Sequence, residues 1–247
     1  NVTKVESPAG DRLASFNPAW YEALLEGQDV IVLDLRDAAE RRALNEQLSA
    51  ADLLLTSSRP ASLARLGLSW GNLSGRHPRL SQVAIVGYPA PRENEPGHDL
   101  TYLAEYGLLT PPEMPRTLLA DLAGAERAVS AALGLLFGRE RSLGVGYVEV
   151  ALSEAAESFS APLAYGITKP DAVLGGGFAG YGVYPAYDGW ISVAVLEPHF
   201  MKKLVSELGV KESSREAFER IFAEKSSAEW ETWARERDLP IVAVRTS

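Results

Sequence analysis

The chain contains no cysteine, only three histidines and no apolar run long enough to cross a bilayer. The lack of cysteine excludes disulfides, thiolate catalysis, zinc fingers and iron–sulfur clusters. It is compatible with a reducing compartment, and we expect a cytoplasmic protein. The histidines share no metal-ligand spacing, so we expect no metal site. The lack of a long apolar run argues against a membrane span.

Positive charge is also scarce. The chain carries 24 Lys and Arg against 33 Asp and Glu, a net charge of −9, which disfavours sequence-independent binding to nucleic acid. The imbalance is uneven, because residues 1–80 hold 9 basic and 10 acidic residues. This near-neutral part of the chain favours an anionic ligand, although compositional scatter would give the same difference.

Apolar runs of strand length alternate with helical patterns through the first part of the chain. Buried strands are predicted at 30–35, 52–56 and 80–87. Alternation of strands and helices is typical of an α/β fold with a Rossmann-like parallel sheet. No Walker loop is present, and the glycine run 175–177 lacks the spacing of a dinucleotide motif.

The pattern changes after the glycine run. Segments 181–186 and 190–195 alternate in polarity and are joined by an Asp-Gly turn, which predicts a β-hairpin. Helical patterns follow. We therefore predict a large α/β domain over 1–165, to which 239–247 return, and a smaller α+β domain over 166–238.

Three ionisable residues stand near the starts of predicted helices. His98 follows a loop, and a histidine there could act as a general base. Asp121 precedes the small-residue turn 122–125, where the helix dipole would keep it ionised and stabilise a developing oxyanion. Glu197 precedes Pro198 and could orient a histidine from another segment. Simpler interpretations are helix capping for His98 and Asp121, and a first-turn acid for Glu197.

Arginines follow two of the predicted strands. Arg36 comes directly after Leu35, while Arg59 and Arg65 flank the next strand–helix turn. Ligands of open parallel sheets bind at the carboxyl ends of strands, where arginines can grip phosphates with forked hydrogen bonds. Solvated charge beside helices explains each arginine equally well.

Taken together, these segments resemble the class III CoA-transferases and the related α-methylacyl-CoA racemases (the CaiB/BaiF type). The resemblance runs from residue 2 to at least residue 209, and it depends on the order and spacing of several short stretches. The matching stretches are 4–8 with Gly10-Asp11, Asp34-Leu35-Arg36, 51–54, Arg59-Pro60, 65–68, Pro78-Arg79-Leu80, Gly97-His98-Asp99, Asp121, 184–186, Asp188-Gly189 and 196–200.

The resemblance implies a chemistry for the three ionisable residues. Asp121 matches the catalytic aspartate of both branches, which is a nucleophile in the transferases and a base in the racemases. His98 and Glu197 match racemase positions, where the glutamate pairs with the histidine. His98 and Asp121 would then exchange a proton at the α-carbon of a 2-methylacyl-CoA thioester through an enolate, which N–H groups at the helix start near Asp121 would stabilise.

The resemblance also implies the ligand and the assembly. Arg36, Arg59 and Arg65 would contact the CoA nucleotide, with Leu35 and Gly97 in the same binding set. CoA is part of the substrate, so no separate cofactor is expected. Family members form an interlocked homodimer, in which each active site combines the large domain of one chain with the small domain of the other.

The chain departs from the family in two respects. We expect it to be shortened at both ends, without the family's first strand and helix, and residues 122–126 replace a glycine-rich run with bulkier ones. The leading interpretation is an acyl-CoA racemase or epimerase. The alternatives are a class III CoA-transferase with Asp121 as nucleophile and a shortened, non-catalytic CoA-binding homologue.

Overall fold

Parallel strands organise the first of the two units into which the chain divides, Asn1–Ser158. In the computed structural model, which describes residues 1–245, β1 pairs with β2, and β3, β4 and β5 form a second sheet in that order. The central strand β4 is buried along almost its whole length. The strands are β1 (Val2–Glu6), β2 (Gln28–Val32), β3 (Leu53–Thr56), β4 (Ser81–Val86) and β5 (Tyr147–Ala151).

Helices connect these strands as the alternating sequence pattern predicted. α3 packs Leu44 and Leu48 against Leu73 of α5 and Leu80, which precedes β4. The helices are α1 (Arg12–Phe16), α2 (Pro18–Leu24), α3 (Ala38–Ala50), α4 (Pro60–Arg65), α5 (Trp70–Arg76), α6 (Asp99–Glu105), α7 (Leu119–Glu140) and α8 (Leu152–Ala164), the last of which crosses into the second unit.

An antiparallel sheet forms the second unit, which begins at Phe159. Its strands are β6 (Tyr181–Pro185), β7 (Trp190–Ala194) and β8 (Ile241–Ala243). Its helices are α9 (Pro198–Leu208), α10 (Arg215–Phe222) and α11 (Ser227–Glu236). The segment Val173–Gly177 is a short irregular turn, kinked at Gly176, whose φ is 101°. The β6–β7 hairpin confirms the prediction from the Asp-Gly turn.

Two predicted boundaries differ from the structure. The strand predicted at 30–35 ends at Val32, because the Asp34 carboxylate accepts the N–H of Arg36 and turns the chain. The predicted return of 239–247 to the large domain is also corrected. β8 pairs with β7 and buries Ile241 and Ala243 in the second unit, so the described part of this segment belongs there. Residues 246–247 lie outside the described residues.

Within residues 1–245, no helix combines the length and the apolar character that a membrane crossing requires. The interlocked homodimer stays a prediction.

Candidate functional site

The centre of the site is a buried tyrosine at the carboxyl end of β4. Tyr102 of α6 is 1% exposed and meets Tyr88 edge to face, with ring centroids 5.1 Å apart. Two glycines make room for it: a Cβ atom on Gly97 would lie 2.5 Å from Tyr102 Cε1, and one on Gly87 would collide with the hydroxyl. Gly97, predicted as a CoA-binding residue, therefore has a packing role in the start of α6.

Asp99 joins the starts of two helices. Its carboxylate is buried, and its Oδ1 atom accepts the backbone N–H groups of Ala120 at 2.7 Å and Asp121 at 3.1 Å. The residue before α7, Leu118, provides no side-chain cap, so Asp99 satisfies donors that the first turn of a helix leaves unpaired. This bond brings His98, the neighbour of Asp99, to the same place as Asp121.

Asp121 lies inside the first turn of α7, which begins at Leu119, and not before the helix as predicted. Burial raises the pKa of the half-buried Asp121 carboxyl, the charge of Asp99 raises it further, and His98 acts in the opposite direction. A carboxylate whose pKa is raised binds a proton more readily, which is the property required of a base. The exposed imidazole of His98 lies close enough to Asp121 for its charge to act on that carboxyl group.

The same geometry changes the expectation about the start of α7. The N–H groups of Ala120 and Asp121, which could have stabilised an oxyanion, already donate to Asp99. The small residue Gly124 allows close packing of α7 against α8, since a Cβ atom there would collide with the Leu152 side chain of α8.

Arg59 is the predicted arginine that reaches this neighbourhood. It precedes α4 at the carboxyl end of β3. The pKa of the Tyr102 hydroxyl is raised to about 12, mainly by burial, while the positive charge of Arg59 opposes the rise and Asp121 adds to it. A loop residue that the sequence analysis missed, Asn94, holds α4 in place by accepting the N–H of Ala61 at 3.1 Å.

The other predicted arginines are engaged elsewhere. Arg36 is 86% exposed and pairs with Asp34 at 2.8 Å, and Arg65 donates to the Ser62 hydroxyl at 2.9 Å. A nearby cavity of about 420 Å³ opens beside α3, and of the predicted binding residues Leu35 lines it. The cations that line this cavity are Arg41, Arg42 and Arg76. The sequence analysis missed these three arginines. The adjacent Arg41 and Arg42, in the helix that follows β2, were a signal that could have indicated two of them.

Arg41 and Arg76 are held by backbone carbonyl groups. Arg41 donates to the carbonyls of Leu35 and Arg36 at 3.0 and 2.9 Å. Arg76 donates to the carbonyls of Gly67 and Asn72. These bonds leave the net positive charge of both guanidinium groups uncompensated by a carboxylate at these contacts, which favours an anion in the cavity.

Glu197 precedes α9 in the second unit and is exposed. It stands at the cap position and not in the first turn, and its side chain makes no capping hydrogen bond to the helix. Its pairing with His98 stays a prediction. Of the remaining histidines, His77 is buried against Asn45 and Ser49, and His199 stacks on Phe200. Within residues 1–245, no group of three or more acidic or histidine side chains is arranged to hold a metal ion.

Comparison with known proteins identifies relatives along the whole chain. The sequence pattern of CoA-transferase family III matches residues 1–247. The chain is 28% identical to the human alpha-methylacyl-CoA racemase in an alignment 237 residues long, which covers 83% of this chain and 62% of the racemase. It is 34% identical to a subunit of the succinyl-CoA:(R)-benzylsuccinate CoA-transferase of Thauera aromatica in an alignment 177 residues long, which covers 63% of this chain and 43% of that subunit. The chain spans less than two thirds of the length of these relatives.

Solved structures show the same fold. The crystal structure of a hypothetical protein from Mycobacterium tuberculosis matches with a TM-score of 0.84 at 23% identity, covering 100% of this chain and 76% of that chain. A CaiB/BaiF family protein from Brucella suis matches with a TM-score of 0.80 at 20% identity, covering 100% of this chain and 77% of that chain. At these identities the likeness concerns the fold alone, and it confirms the predicted α/β class.

Proposed function

The chain belongs to CoA-transferase family III, and within that family we propose that it is an acyl-CoA racemase or epimerase. The observation that supports this proposal is the link that Asp99, the neighbour of His98, makes to the first turn of α7, which contains Asp121. One carboxyl group with a raised pKa and one imidazole stand at the adjoining starts of α6 and α7. A similar racemase exists among the relatives, but so do CoA-transferases.

The proposed reaction is an exchange of the α-proton of a thioester. Either His98 or Asp121 removes the proton from one face of the α-carbon, which gives an enolate. The other group returns a proton to the opposite face. These steps use side chains of the protein, so the proposal requires no cofactor beyond the CoA portion of the substrate.

The cavity beside α3 is the proposed site for the CoA nucleotide. Its lining combines apolar side chains, among them Leu35 and Leu68, with the guanidinium groups of Arg41, Arg42 and Arg76. Apolar walls with a few cations fit a flat base joined to phosphates. We further propose that the protein acts as a homodimer in which Glu197 of the partner's second unit pairs with His98.

The test is α-proton exchange in deuterated water with a 2-methylacyl-CoA, followed by mass spectrometry. We expect the wild-type chain to incorporate deuterium, and we expect Asp121→Asn and His98→Ala to reduce the rate by about 10²-fold or more. Glu140→Gln is a matched control, because it removes an acid from the far end of the same helix. Its exchange rate should equal that of the wild type.

A CoA-transferase is the second candidate, because transferases occur among the relatives and Asp121 would serve as the nucleophile. Intact-mass measurement after mixing with an acyl-CoA distinguishes the two candidates. A covalent adduct on Asp121 without deuterium exchange would favour the transferase. Neither adduct nor exchange, with CoA still bound, would favour a non-catalytic CoA-binding homologue.

A further inference from the structure

One oxygen atom makes both contacts between Asp99 and α7. Oδ1 of Asp99 accepts from Ala120 and from Asp121, across 21 and 22 residues of sequence. Asp99 is 4% exposed, so its charge is shielded from water and acts strongly on its neighbours. The first N–H groups of α7 and its dipole compensate that buried charge.

We propose that Asp99 is the positioning residue of this site, with two separable effects. Its two hydrogen bonds fix the first turn of α7 and so the location of Asp121 relative to His98. Its negative charge makes Asp121 a stronger proton acceptor. The first effect needs only an acceptor oxygen at the Oδ1 position, whereas the second needs the charge.

The surroundings of Asp121 agree with this division. Among the described residues, the charges of Asp99 and His98 act on the pKa of Asp121, and both residues belong to α6 or its cap. Tyr102, also of α6, lies close enough for the charge of Asp121 to raise the pKa of its hydroxyl. Asp99 is the neighbour whose charge raises the pKa of Asp121, after the contribution of burial. Removing that charge should therefore lower the pKa of Asp121 without moving the side chain.

The substitution Asp99→Asn separates the two effects. An asparagine has nearly the same shape, and its Oδ1 atom can accept the same two N–H groups while carrying no charge. The substitution Asp99→Ala removes the acceptor as well. Asp188→Asn is the matched control, because Asp188 also caps a distant helix, accepting the N–H of Ser227 at 2.7 Å across 39 residues.

The first measurement is direct titration of the Asp121 carboxyl by ¹³C NMR of the full-length chain, with Asp121→Asn used to assign its signal. We expect the Asp121 titration to move to lower pH in Asp99→Asn and to stay unchanged in Asp188→Asn. An unchanged titration in Asp99→Asn would overturn the effect of charge. This measurement needs no catalytic activity. It therefore tests the effect of the Asp99 charge on Asp121 even if the wild-type chain is inactive. The kinetic test, in contrast, rests on the proposed function.

The second measurement is the exchange rate of the same variants as a function of pH. In Asp99→Asn the acidic limb of kcat/KM should move to lower pH, with kcat within a few-fold of the wild type. In Asp99→Ala, kcat should fall about 10²-fold because Asp121 is misplaced, while KM changes little. A kcat for Asp99→Ala equal to that of the wild type would overturn the positioning role. If the alanine variant does not fold, a loss of about 10²-fold in kcat in a correctly folded Asp99→Asn would overturn it instead, since that variant keeps the acceptor.

Discussion

The two units of the molecule are stabilised in different ways. Up to residue 245, the second unit has one continuous core of eleven buried residues, in which Tyr184, Phe218, Phe222 and Trp230 pack ring against ring. The first unit divides its buried apolar residues among three smaller clusters. Since contiguous apolar burial is the main source of stability, the second unit has the stronger apolar basis for its own fold.

The first unit also leaves large apolar side chains exposed. On α7 the exposed ones include Val129, Leu133 and Phe137, and Leu55 of β3 is 55% exposed. Its functional residues are held in place by long-range polar contacts, such as that of Asp99 with α7 and that of Asn94 with α4. The comparison indicates that the site is positioned by hydrogen bonds between segments more than by a deep core.

The largest predicted effect contrasts one phenylalanine from each unit. Phe222 is fully buried in the second core, whereas Phe137 of α7 is 64% exposed. Phe222→Ala should lower the free energy of unfolding by about 3–5 kcal/mol. Phe137→Ala should change it by less than about 0.5 kcal/mol. Denaturant unfolding of the full chain, followed by tryptophan fluorescence, measures both.

A similar loss in the free energy of unfolding for Phe137→Ala and Phe222→Ala would contradict this contrast. It would mean that the apolar face of α7 is covered in solution. The division between a deep core and dispersed clusters would then not hold for the assembled protein, and the concentration dependence of the loss would show whether a second copy provides the cover.

The second prediction concerns the tight packing around Tyr102. Gly97→Ala should destabilise the protein by about 1–3 kcal/mol, because the added methyl group overlaps the buried ring. Gly134→Ala is its control in the same unit. A Cβ atom there meets no heavy atom within 4 Å, and alanine in a helix interior should stabilise α7 by about 0.5–1 kcal/mol. Thermal unfolding of both variants tests the opposite signs, and a neutral Gly97→Ala would show that Tyr102 can move aside.

Much of the fold was predictable from the sequence because its signals are local. Apolar runs marked β3 and β4, and the Asp-Gly turn marked the β6–β7 hairpin. The placement of β8 was not predictable, since its three residues read equally well as a strand of either unit until the pairing with β7 is known. Strand pairing across such distances depends on which surface the rest of the chain leaves open.

The site was predictable only in part, because some of its residues stand in recognisable short stretches and others act across long distances in the sequence. The family resemblance pointed to His98 and Asp121, and the structure brings them to one place. The role of Asp99 was missed, although it stands beside His98 in the sequence. Its hydrogen bonds span 21 and 22 residues, and no local pattern encodes a helix cap provided by another helix. The cavity arginines were missed because two of them lie on the face of α3, beyond the strand end.

The third prediction concerns His77, a buried histidine of the first unit. Burial lowers the pKa of His77 below its ordinary value of 6.5, and the positive charge of Arg76 adds to this. The stabilising contribution is therefore fully present above pH 6.5 and is lost as the pH falls through the lowered pKa. Unfolding of His77→Gln should lose this part of the pH dependence between pH 7 and 5. An unchanged pH dependence in His77→Gln would contradict this prediction.

The smallest predicted effect is an ion pair that joins two elements of the first unit. Arg139 near the end of α7 lies 2.8 Å from Asp52, which precedes β3, and Asp52 is 56% exposed. An exposed pair contributes about 0.2–1 kcal/mol, and salt screens it. The coupling energy from Asp52→Asn, Arg139→Gln and the double variant should fall in that range and vanish at high salt. A larger, salt-resistant coupling would mean that this pair is shielded from water, and polar contacts would then hold the first unit together more strongly than the comparison of the two units implies.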